Sequence, residues 1–179
     1  MSLYEGVVLP SQMEPILSQA EIEAMINEII LANGAITEEQ QAAIDAALAM
    51  LGQYKYDNWS TPRHDCSGYI TLALQAAGAL PPGSQPTCSG LMSRFGTVSL
   101  GSVPLTPGSL IYNTRAGGIS ENHVVMYCGT DTSGQPILVE STTEKSYLAH
   151  ANGPQKCSPE RAAYILSHYD KMTPAENIY

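Results

Sequence analysis

Positive charge is what this chain has least of: 8 lysines and arginines stand against 17 aspartates and glutamates in 179 residues, a formal net charge of −9. The few cations are scattered, which excludes nucleic-acid binding by neutralisation of phosphates. Long apolar runs are missing as well. No stretch approaches the ~18 apolar residues of a membrane-spanning helix, so no membrane span is expected. The first residues lack the basic patch, apolar run and small-residue cleavage site of a secretory leader. Either the protein reaches its place of action by another route, or a leader has been removed.

Cysteine is also sparse. Cys66, Cys88, Cys128 and Cys157 form no C-x-x-C pair and no Cys/His spacing of the zinc-binding kind, so neither a metal nor another cofactor is expected. A chain of this size folds without disulfides. If Cys66 is kept as a reactive thiol, at most one pair can form among the other three. Cys128 falls in an apolar strand, which leaves Cys88 with Cys157.

What is present is enough apolar material for a real core, 44% of residues, with 15 glycines and 12 prolines to punctuate it. Residues 1–17 read as an irregular leader. Ser18-Gln19-Ala20-Glu21 and Thr37-Glu38-Glu39-Gln40 both have the spacing of a capping box. Apolar residues at helical intervals follow each, including Ile22, Ile26, Ile44 and Leu48, so an antiparallel helical hairpin is expected. A third helix opens at Cys66 and stops at Gly78, and a short one falls near Thr87–Phe95. The pattern then turns to strands at Leu110–Tyr112, His123–Cys128 and Ile137–Glu140. Gly117-Gly118 marks a loop before His123. Ser158-Pro159-Glu160 is a helix start, yet Ala163–Tyr169 reads equally as a last strand. Helices first and a meander of strands second predict an α+β domain. Residues 1–50 form a leader and hairpin, and 51–179 the main domain.

The chemistry centres on Arg63-His64-Asp65-Cys66-Ser67-Gly68-Tyr69-Ile70. Asp65 is placed to N-cap the third helix, leaving Cys66 in its first turn. Unpaired amide N–H groups and the positive end of the helix dipole favour a thiolate there, and the thiolate is the nucleophile. The plainer alternative is a small half-buried residue at a helix start. A nucleophile needs a base and the base an orienting group. Of four histidines, His123 stands at a strand edge, flanked by apolar residues, whereas His64, His150 and His168 read as ordinary surface residues. Glu140 ends the strand expected to pair with that of His123. It either accepts the imidazole N–H or simply faces solvent, with Ser141 or Thr142 next in line.

These segments resemble the NlpC/P60 cysteine peptidases, from about Gln53 to the C-terminus. Gly52-Gln53-Tyr54-Lys55-Tyr56 is similar to the family's G-x-x-Y-x-W entry, with Tyr56 in place of tryptophan. Asp65-Cys66-Ser67-Gly68-Tyr69 is similar to its nucleophile motif, and Leu80-Pro81-Pro82-Gly83-Ser84 to its L-P-R-x-S loop. Leu105–Tyr112 resembles L-x-P-G-D-L-v-f with Ser109 for aspartate, and His123–Gly129 resembles H-V-G-I-Y-x-G. The five segments come in the family's order.

The resemblance implies a papain-like fold in which the nucleophile helix packs on an antiparallel sheet. It implies Cys66 as nucleophile, His123 as general base and Glu140 at the third polar position, where most members carry histidine. It places Tyr54 beside the nucleophile, and Asp65, Ser67 and Ser84 at positions that in some members bind the substrate's first residues. The implied activity is hydrolysis of peptidoglycan stem peptides or muropeptides, at the γ-D-glutamyl–diamino acid bond, by a secreted, wall-directed or virion-associated enzyme. The net charge argues against tight non-specific binding to anionic walls. The alternatives are another thiol amidase of similar fold, such as a CHAP-type amidase or an acyltransferase, and a non-catalytic wall-peptide-binding module.

Overall fold

The computed structural model describes residues 18–34, 36–115, 122–143 and 153–179. The expected leader at 1–17, the Gly117-Gly118 loop and His150 lie outside these residues.

Both capping boxes form. Helix α1 (Gln19–Asn33) starts where the Ser18 N–H donates to Glu21 Oε2 at 2.7 Å and the Glu21 N–H donates to Ser18 Oγ at 3.3 Å. Helix α2 (Glu38–Ala49) starts where Thr37 Oγ1 accepts from the Gln40 N–H at 3.1 Å and Gln40 Oε1 accepts from the Thr37 N–H at 2.8 Å. Each box satisfies amide groups that the first turn leaves without helical partners. Helices α3 (Cys66–Ala76) and α4 (Cys88–Phe95) follow.

Six strands then make one sheet: β1 (Val98–Ser99), β2 (Leu110–Asn113), β3 (His123–Thr130), β4 (Pro136–Thr142), β5 (Gly153–Lys156) and β6 (Lys171–Thr173), with α5 (Pro159–His168) between the last two. Their spatial order is β1-β6-β2-β3-β4-β5, and every neighbouring pair is antiparallel. The molecule is α+β, with helices packed on an open antiparallel sheet.

Strand β3 is apolar along nearly its whole length because both of its faces are covered. Val124, Met126 and Cys128, with Ile137 and Val139 of β4, meet Ile44 and Leu48 of α2 and Tyr69 and Leu74 of α3. Val125, Tyr127 and Leu138 face the other way, against Ala162 and Ile165 of α5. Helix α2 is part of the first of these cores, and the Tyr69 hydroxyl donates to the Ala47 carbonyl at 2.8 Å.

The chain's tail resolves as a helix followed by a strand. Ser158 Oγ caps α5 through the Arg161 N–H at 3.1 Å, and the strand falls later, at Lys171–Thr173. Strand β5 is hard to see in sequence because Gly-Pro-Gln-Lys has little β-propensity. What places it is a close approach: at Gly153, with φ +126°, a Cβ would lie 2.1 Å from the Tyr54 carbonyl oxygen. Glycine is required there, and the Gly52 N–H donates to the Pro154 carbonyl at 3.0 Å. The aromatic segment after α2 is thereby fastened to the edge of the sheet. Among the described residues, no helix is long and apolar enough to cross a membrane.

Candidate active site

Cys66 is the first residue of α3, and the side chain of Asp65 caps that helix by accepting the Gly68 N–H at 2.7 Å. The Ser67 hydroxyl donates to the same Asp65 oxygen at 3.4 Å, and Arg63 Nη1 lies 3.4 Å from the other. The 63–65 loop folds back so tightly over the first turn that a Cβ on Gly68 would stand 2.3 Å from the Arg63 carbonyl oxygen. The glycine of the Asp-Cys-Ser-Gly run is therefore a packing requirement. Replacing Gly68 with alanine is expected to cost about 1–3 kcal/mol through overpacking. A thermal melt should show this as a loss of roughly 5 °C, and an unchanged melting temperature would contradict the close contact.

His123 opens β3. Its alternation matches that of Val125 and Tyr127, and Glu140 on β4 matches Leu138, so both side chains fall on the α5 side of the sheet. His123 Nε2 and Glu140 Oε2 are 2.7 Å apart, with 7% of His123 and 2% of Glu140 exposed. The imidazole and the Tyr169 ring stand perpendicular, with centroids 6.2 Å apart. With Nε2 committed to Glu140, Nδ1 is the ring nitrogen left to serve the Cys66 thiol, and the two groups lie near enough for each to favour the charged form of the other. Asn122, at φ +56°, turns the chain into the strand and sets its carbonyl 3.9 Å from Cys66 Sγ.

Behind Glu140 stands a residue that the sequence reading passed over. Arg161, on α5 and 1% exposed, donates from Nε to Glu140 Oε1 at 2.9 Å and from Nη2 to Oε2 at 3.0 Å. Its Nη2 also donates to the Tyr169 hydroxyl at 3.2 Å. A two-pronged guanidinium–carboxylate pair fixes the plane of the carboxylate as well as its charge. A signal for it does exist in the sequence. Arg161 is the third residue of α5, where the positive end of the helix dipole disfavours a cation. A local rule broken in this way points to a site.

A further neighbour of the thiol is another thiol: Cys88, the first residue of α4, has its Sγ 3.7 Å from that of Cys66. The hydrogen bond from Cys88 is the largest influence lowering the Cys66 pKa. Burial opposes it, and the His123 hydrogen bond and charge add to it, so the thiol is pushed down to about 5. Cys88 moves the other way, its proton held by the bond to Cys66 and by burial. Burial works against the His123 cation, but hydrogen bonds to Cys66 and Glu140 and their charges outweigh it and raise His123 to about 9. Burial likewise works against the Glu140 anion, and His123 and Arg161 together bring it down to about 2. The site thus alternates in charge along one line: thiolate, imidazolium, carboxylate, guanidinium.

A consequence is testable without any substrate. A lowered thiol pKa means that the thiolate survives as pH falls, down to about 5. Alkylation of Cys66 by iodoacetamide should rise through that pH and be level by neutrality, whereas an ordinary thiol rises near ~8.5. Peptide mapping after timed labelling reads the profile, and a midpoint near that of an ordinary thiol would exclude the ion pair.

Cys66, His123 and Glu140 are brought together, and Asp65 and Ser67 lie in the same turn as the thiol. Tyr54 stacks on His64, ring centroids 4.1 Å apart and 11° from parallel. The phenol of Tyr56 lies near enough to the first turn of α3 to feel the charges of Cys66, Asp65 and Cys88 and the Cys66 N–H. Burial first, then those charges, push it up to about 12. His64 is held by that stack and by its carbonyl, which accepts the Ser141 hydroxyl at 2.7 Å and ties the nucleophile loop to β4. Thr142 sits opposite Gly153 on β5. The Ser84 hydroxyl closes its own turn on the Pro81 carbonyl at 2.9 Å. The Cys88–Cys157 bridge that the sequence left possible does not form: all four cysteines are free, and Cys88 faces Cys66. Comparison with family models, with curated proteins and with solved structures finds no match, so the site is read from its own geometry.

Proposed function

We propose that the chain is a thiol hydrolase that cleaves amide bonds through Cys66. The observation that carries this reading is the buried line from Cys66 through His123 and Glu140 to Arg161, with the thiol at a capped helix start. The thiolate attacks the amide carbonyl, and the developing oxyanion is met by backbone N–H groups at the start of α3. The Tyr56 phenol stands beside the Cys66 N–H and stays protonated at neutral pH. His123 passes its Nδ1 proton to the leaving amine, then takes a proton from the water that releases the acyl group. Glu140 holds the imidazole in one orientation throughout.

Within that class, the particular reading is an NlpC/P60-like endopeptidase of papain-like fold that cuts stem peptides at the γ-D-glutamyl–diamino acid bond. Its support is the order of five motif-like segments, together with a thiol and a base drawn from two of them and a carboxylate from the strand that follows. Incubating defined muropeptides with the protein and weighing the products tests it. Fragments split after D-glutamate are the expected result. Fragments split at the amide next to the sugar would instead give a CHAP-type amidase, and intact substrate a binding module.

A further inference from the structure

We propose that Cys66 and Cys88 form a reversible peroxide-oxidation site, with Cys66 the thiol that peroxide attacks and Cys88 the thiol that resolves the product as a disulfide. This goes beyond the hydrolase reading, since it needs no peptide substrate. The carrying observation is the juxtaposition of two free thiols, Sγ to Sγ 3.7 Å, at the first residues of two separate helices. A disulfide needs about 2.0 Å, so the two sulfurs have less than roughly 2 Å to travel. Cys66 keeps 9% of its surface open and Cys88 5%, so the thiol with thiolate character is also the more exposed of the two.

The two thiols are also differently prepared. Cys66 is the one with thiolate character, which sets the first step. Its sulfur attacks a peroxide oxygen: an S–O bond forms, the O–O bond breaks, and hydroxide leaves as water after taking a proton. Cys66 is oxidised by two electrons to the sulfenic acid, and peroxide is reduced. Cys88 then attacks the Cys66 sulfur. The S–S bond forms, the S–O bond breaks, and the departing hydroxide leaves with the Cys88 proton as water. In the reduced site the first cause of Cys88's tightly held proton is its bond to Cys66. Oxidation removes the charge on Cys66, so Cys88 is freed to react only after its partner has been oxidised.

Titration of the full chain with hydrogen peroxide, followed by peptide mapping, tests the pair. The expected product is a Cys66–Cys88 linked peptide, two hydrogens lighter than its parts, with loss of iodoacetamide labelling at both positions and full recovery after dithiothreitol. In the Cys88→Ser and Cys88→Ala variants, each checked by thermal melt, the same treatment should carry Cys66 to the sulfinic and sulfonic acids, which dithiothreitol does not reverse. Wild-type protein that goes directly to those acids with Cys88 still labelled would overturn the proposal, as would a bridge from either cysteine to a different partner. Either result leaves the hydrolase reading untouched. Equally, a linked peptide from a protein that cuts no muropeptide would sink only that reading.

Discussion

Muropeptide cleavage by the Cys66→Ala variant is expected to fall by on the order of 10⁴-fold or more, the scale on which loss of a covalent nucleophile acts. The reason is chemical. His123 and Glu140 remain in place, but nothing is left for them to activate, and water held at a helix terminus does not replace a thiolate. The fold should survive: alanine is smaller than cysteine, and the α3 cap runs through Asp65 and Gly68 rather than through the sulfur. A thermal melt within a few degrees of wild type makes the comparison clean. Cys66→Ser should be nearly as inactive, because a hydroxyl gains far less from an adjacent imidazole than a thiol does. The imidazole carries a second readout. Part of what raises His123 to about 9 is its contact with Cys66, so its titration should move down in the alanine variant. Substantial cleavage by Cys66→Ala would assign the chemistry to another residue and end the proposal.

The sequence read well where a local rule decides a local structure. Ser18, Thr37 and Asp65 announce helix starts because a short polar side chain can satisfy free amides only from the cap position. The β3 and β4 runs were legible from their unbroken apolar content. The His123–Glu140 pairing was only half legible: Glu140 stood at the end of the strand beside that of His123, but its register depends on a bulge at Tyr127–Gly129 that the sequence does not announce. The rest depends on contacts between distant segments. Strand β5 is placed by Gly153 against Tyr54, a meeting that no local pattern encodes. Cys88 lies 22 residues from Cys66 and reaches it only because α4 folds back on α3. The roles of Tyr54 and Tyr56 hinge on which way two neighbouring side chains turn. Tyr54 stacks on His64, while the phenol of Tyr56 feels the charges around Cys66, a division that residue spacing does not encode.

The second large effect is expected at Arg161, and it separates support of the site from support of the fold. Arg161→Met leaves the Glu140 carboxylate buried without its two-pronged partner. Breaking a buried ion pair from one side costs about 3–5 kcal/mol, read as a loss of roughly 10 °C in the melting temperature for a chain of this length. Activity should suffer beyond that. When His123 gives its proton to the leaving amine, Glu140 no longer faces an imidazolium, and Arg161 is the cation that keeps it ionised through the rest of the cycle. Without Arg161, burial pushes Glu140 upward, and the carboxyl carries a proton over part of the working range. The acid limb of the kcat profile should therefore move to higher pH, a change that simple loss of packing does not produce. Arg161→Lys offers the intermediate case, keeping the charge but not the fork, and should restore the position of the acid limb more fully than the melting temperature. If Arg161→Met lowers the melting temperature and leaves the pH profile where it was, the guanidinium fastens α5 to the sheet and has no hold on the imidazole.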